Sequence, residues 1–119
     1  MAAYRVTVRR RGGTQRERHA TLDEALRALE GQLDGLATTE RRGPESVLSR
    51  SYEPVKQVAA RGELAGPGRL RAGVDLRGDG SAEAYTGRWR KQLVERRTGE
   101  TAYEALRRVI DGNPGGAAG

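Results

Sequence analysis

The residues of this chain best fitted to do chemistry are arginines set along extended stretches: Arg5 and Arg9, Arg16 and Arg18, Arg69 and Arg71 with Arg77, and Arg88 and Arg90. A guanidinium is planar, permanently charged and forked, so it meets a phosphate through two parallel N–H donors. Of 22 basic residues only Lys56 and Lys91 are lysine, and the net charge is +6. Placed on strands, such side chains point to phosphate contact in a nucleic-acid or ribonucleoprotein partner. A second explanation stands beside it. A GC-rich coding sequence favours Arg, Ala and Gly whatever the protein does, and 17 glycines fit that pattern.

Other chemistries lack their residues. There is no cysteine, which removes disulfides, thiolate metal sites and cysteine nucleophiles. His19 is the one histidine and sits among Arg16, Glu17 and Arg18, where a solvated strand side chain is expected rather than a general base. Ser46, Ser49, Ser51 and Ser81 lie outside any nucleophile elbow, and neither a Walker loop nor a dinucleotide fingerprint occurs. Asp75, Asp79 and Gly80 lack the remaining ligands of a calcium loop, and Arg77-Gly78-Asp79 without a secretion signal is a hairpin turn. The expectation is a binding module without catalytic site, metal, cofactor or small-molecule ligand. No apolar run reaches the length of a membrane span, so no membrane role and a cytoplasmic location are expected.

The elements that would position these arginines follow from periodicity. A chain of 119 residues is expected to form one domain, over residues 3–111, with the Gly/Pro/Ala-rich residues 112–119 as a disordered tail. Tyr4, Val6 and Val8 alternate with Arg5, Thr7 and Arg9, the period of a half-buried strand, and Gly12-Gly13 reads as its hairpin turn. Thr21 and Glu24 form a capping box ahead of a stripe of Leu22, Leu26, Leu29 and Leu33; Gly31 and Gly35 weaken its end, and residues 37–46 read as a loop. A second sheet-forming region starts near Val47, with Pro54 at an edge or strand start. Leu70, Ala72, Val74 and Leu76 alternate cleanly, Asp79-Gly80 turns the chain, and Ser81 to about Val94 returns. Thr101 and Glu104 cap a last helix with Leu106, Val109 and Ile110 on its apolar face.

The predicted fold is therefore α+β, in the order ββαβββα: one antiparallel sheet of about five strands with two helices packed on a single face. With Asp79-Gly80 as a two-residue turn, Val74 faces Tyr85 and Leu70 faces Trp89, which places Trp89 in the core and leaves Tyr4, Tyr52 and Tyr103 as the other aromatics. A one-residue slip would set Asp75 against Glu83 and turn Tyr85 outward. The preferred register puts Arg69, Arg71, Arg77, Arg88 and Arg90 on the open face, joined by Arg5, Arg9, Arg16 and Arg18. With the aromatics in the core, that face is expected to grip phosphate without reading bases. The alternative is a protein-interaction or homo-oligomeric adaptor, pairing through a sheet edge such as residues 14–20, with the acidic first helix of one copy against the basic sheet of another. In topology alone, the order α-β-β-β-α from Thr21 resembles double-stranded RNA-binding domains, and with Tyr4–Arg10 added it resembles ribosome-hibernation factors. No residues carry over: the basic start of the second helix is absent, since Arg107 and Arg108 lie toward its end.

Overall fold

The computed structural model describes residues 3–42 and 58–112. Six strands and two helices follow in order: β1 (Tyr4–Arg10), β2 (Gly13–His19), α1 (Leu22–Arg42), β3 (Val58–Gly66), β4 (Leu70–Arg77), β5 (Ala82–Thr86), β6 (Gln92–Leu93) and α2 (Ala102–Gly112). All neighbours pair antiparallel in a single sheet ordered β2-β1-β3-β4-β5-β6. The fold is α+β, as the alternation and the two capped stripes predict, with one strand more than expected.

Both helices cover one face. α1 lies over β1 and β3, and α2 over β5 and β4. The strands send Val6, Val8, Leu64, Ala72, Val74, Leu76 and Ala84 into a core shared with Leu26, Leu29, Leu33, Leu106 and Ile110. Gly62 sets how close α1 can come: a Cβ there would stand 2.2 Å from Leu29 Cδ1. Thr21 Oγ1 accepts from the Glu24 N–H at 3.1 Å, and Thr101 and Glu104 form the complete reciprocal box at 2.8 and 3.1 Å. Leu22 and Val109, both expected in the core, are half-buried. Among the described residues no helix is long and apolar enough to cross a membrane.

Four expectations need correction. α1 continues to Arg42, so residues 37–42 are helical rather than loop; Gly31 and Gly35 sit on its solvent side while Leu33 and the buried Ala37 hold the stripe to the sheet. The first hairpin turns at Arg11-Gly12, pairing Arg10 with Gly13. The hairpin before β5 uses three loop residues. Gly80 N–H donates to Arg77 O and Arg77 N–H to Ser81 O, while Gly80 takes φ 90°, the type I turn with a left-handed residue. Val74 therefore pairs with Ala84, and Asp75 stands opposite Glu83, the register that turns Tyr85 outward. Finally, the returning strand stops at Thr86. Gly87, at φ 93°, starts a tight loop of Arg88, Trp89 and Arg90, and Trp89 is 81% exposed instead of buried. The strand start near Val47, Pro54, Tyr52 and the tail beyond Gly112 lie outside the described residues.

Candidate nucleic-acid interface

The face opposite the helices is written by the odd-numbered residues of β1 and β3–β6 and the even-numbered residues of β2, and pairing fixes which of them meet. Arg18, Arg5, Ala65 and Arg71 form one cross-strand row. Arg16, Thr7, Glu63, Gly73, Tyr85 and Leu93 form the next, and Thr14, Arg9, Arg61, Asp75 and Glu83 the third. The charges of the third row are paired, within the row or with its neighbours. Arg61 grips Asp75 through two bonds of 2.7 and 3.2 Å, Arg9 meets Glu63 at 2.8 Å, and Arg77 reaches Glu83 at 2.6 Å. Donating to the Asp75 carboxylate holds the Arg61 guanidinium above its usual pKa range.

The first two rows are different. Among the described residues no carboxylate pairs with Arg5, Arg16, Arg18, Arg71 or Arg88 within 4.0 Å; Arg71 instead donates to the Leu70 carbonyl at 2.8 Å. Arg5, Arg9, Arg16, Arg71, Arg88 and Lys91 surround a depression of about 400 Å³ in which Glu63 is the one carboxylate. A second hollow of about 240 Å³ continues it past Arg5, Arg18 and Arg71 to Tyr4. Focused between low-dielectric walls, cations so placed raise the local concentration of anions.

Tyr85 floors the depression. Its ring lies across Gly73 of β4, where a Cβ would come 2.5 Å from the phenol oxygen, and Lys91 Nζ stands 4.7 Å from the ring centroid. Burial first, then the nearby Asp75 and Glu63 carboxylates, pushes the phenol up to about 12. Tyr85 is thus on the open side yet 3% exposed. Tyr4 is half-buried, and Tyr103 is buried on α2.

Of the nine arginines expected on this face, Arg5, Arg9, Arg16, Arg71 and Arg88 converge on the depression and Arg18 on its extension. Arg77 is on the face but consumed by Glu83. Arg69 is not on the face. It occupies the 3-10 turn Pro67–Arg69 with φ 63°, because β4 begins only at Leu70. Arg90 lies on the exposed loop beside Trp89 and does not line the depression. Lys91 and Tyr85 are not among the nine; only the corrected register and the end of β5 at Thr86 bring them in. His19 Nε2 sits 3.3 Å from Glu17 Oε1 without hydrogen-bond geometry and belongs to the helix side of β2. Among the described residues no three His, Asp or Glu side chains converge as metal ligands.

The chain matches no family model, no curated protein and no solved structure. The α-β-β-β-α order is present, with β6 inserted before α2, and α2 opens on Thr101 and Glu104 rather than on basic residues.

Proposed function

We propose that this chain is a non-enzymatic binding module that grips the phosphates of nucleic acid in the cationic depression of its open sheet face. The carrying observation is the sorting of charge within that face: among the described residues Arg5, Arg16, Arg71, Arg88 and Lys91 surround one hollow without a carboxylate partner, its lining carboxylate Glu63 being held by Arg9, whereas Arg61 and Arg77 pair with Asp75 and Glu83. An arginine content set only by codon usage gives no reason for that sorting. Two further facts support the reading. Arg5 and Arg18 stand directly opposite each other across β1 and β2, a like-charge pair that costs stability and is relieved by an anion between them. The outer strand β2 carries Arg16, Glu17 and Arg18, and a charged edge resists strand addition, which weighs against edge-to-edge assembly.

The test is binding of labelled single-stranded and duplex oligonucleotides across a salt series. Five phosphate contacts, from Arg5, Arg16, Arg71, Arg88 and Lys91, give a log–log salt slope of roughly −3 to −5. Replacing Arg71 and Arg88 together with Gln is expected to flatten the slope by roughly two units at unchanged fold. No binding by the intact chain at low salt overturns the proposal.

A further inference from the structure

Trp89 is the chain's one tryptophan, and it is 81% exposed at the tip of the loop joining β5 and β6. A single exposed apolar residue is ordinary; its surroundings here are not. The loop is tight: Gly87 has φ 93°, its N–H donates to Arg71 O at 2.8 Å, and a Cβ on it would stand 2.5 Å from the Arg90 carbonyl. That turn starts beside the depression and holds the indole outward. Arg88, stacked on the indole at 4.8 Å, and Lys91, two residues further on, both line the cationic hollow. An aromatic platform thus adjoins a multiply charged hollow. Leu93 of β6, opposite Tyr85, is 65% exposed as well.

We infer that the preferred ligand of this face is a single strand, with Trp89 stacking on an unpaired base while Arg88 and Lys91 beside it hold the flanking phosphates. The inference rests on the phosphate-binding reading and adds the substrate class. Every base offers a π-face, so such stacking is tolerant of sequence. In a duplex those faces are already covered by neighbouring pairs, and only the phosphates are left to the depression. Arginine over the ring adds to the platform, because a guanidinium stacks on bases as it does on indole. The corrected register matters here. With Trp89 in the core the face would have had cations and no platform.

The single tryptophan makes the experiment self-reporting. The intact chain is titrated with unlabelled oligodeoxythymidylate, oligouridylate, a blunt duplex of the same length, inorganic polyphosphate, and vesicles of phosphatidylcholine with phosphatidylserine, while Trp89 fluorescence and an independent binding signal are followed. Quenching by both single strands, with the duplex and polyphosphate binding without it, is the expected result. Trp89→Ala, checked for unchanged circular dichroism, is expected to lose roughly ten- to a hundredfold in single-strand affinity and nothing for the duplex, with Trp89→Phe in between. Equal loss on duplex and single strand, or none on either, overturns the stacking inference while leaving phosphate binding standing. Loss of all nucleic-acid binding at low salt overturns both. A blue shift on vesicles without response to single strands assigns the loop to a membrane surface instead and also overturns it.

Discussion

Tyr85 lies flat across Gly73 of the adjacent strand, and neither residue can change without disturbing the other. A Cβ on Gly73 would sit 2.4 Å from the Gly62 carbonyl oxygen as well as 2.5 Å from the phenol, so backbone as well as side chain must yield. Gly73→Ala is therefore expected to cost about 1–3 kcal/mol by overpacking, read from urea unfolding. The same burial sets an alkaline limit. The folded-state phenol of Tyr85 is raised from 10.0 to about 12, so its contribution is fully present below pH 10 and is lost as pH rises toward 12. Tyr103 is raised too, by burial and by Asp34 and Glu30. Tyr85→Phe is expected to shift alkaline unfolding upward and to remove one late phenolate step from the ultraviolet titration. Loss of a step near pH 10 instead of the late one would place the phenol in solvent.

The Arg61–Asp75 pair bridges β3 and β4 at the middle of the sheet, with the Asp75 side chain 13% exposed. Removing Arg61 leaves that carboxylate with its desolvation uncompensated. Arg61→Met is expected to destabilise by about 1–3 kcal/mol, with Asp75→Asn in the same range. The double variant should cost clearly less than the two singles added, since each loses the same interaction. Additivity within error would show that the two groups act independently.

Acid should release α2 from the segment before it. Arg108 makes two bonds to Glu100, at 2.9 and 3.0 Å, and a third to the Glu95 carbonyl at 3.0 Å. The Arg108 hydrogen bond, helped by the Arg97 backbone N–H, lowers Glu100 from 4.5 to about 2. A depressed carboxylate stabilises the fold above its unfolded value and loses that contribution as protons bind. The window is thus from pH 4.5 down to about 2. Melting temperature is expected to fall across that interval in the intact chain and to fall less in Glu100→Gln, whose Tm at neutral pH starts lower.

How far the sequence carries the fold depends on which error is made. At the first hairpin the turn lies one residue earlier than Gly12-Gly13 implies. Moving a turn by one residue shifts its partners by two, which keeps every side chain on its face, so Arg5, Arg9, Arg16 and Arg18 stay outward. At the second hairpin the loop is one residue longer than Asp79-Gly80 implies. Partners then shift by one, and the whole of β5 turns over. Nothing in the alternation of Ala82, Ala84 and Thr86 against Glu83 and Tyr85 resists that flip, because alanine reads as either face. Trp89 was misplaced for a related reason: a large aromatic argues for burial, while the signal against it was the backbone freedom Gly87 supplies. The helices were legible because their caps and leucine stripes agree, and Arg42 was missed because Ala37 is too small to extend a stripe by eye.

The last prediction sets stability against binding. Arg5 and Arg18 face each other across the outermost pair of strands, and like charges directly opposed cost roughly 0.2–1 kcal/mol. If that cost is kept for an anion, Arg5→Gln should raise the stability of the free chain by about that amount while weakening oligonucleotide binding and flattening its salt slope by roughly one unit. Arg77→Gln is the control on the same face. Its guanidinium already belongs to Glu83, so binding should be unaffected and stability should not rise. The two arginines differ in carboxylate partner and in place, since Arg77 pairs with Glu83 and lines neither hollow, and the proposed function turns on both. Thermal denaturation and a salt series on both variants separate the readings. Equal effects on binding would mean that only total charge counts; a stabilised Arg5→Gln with undiminished binding would remove Arg5 from the interface.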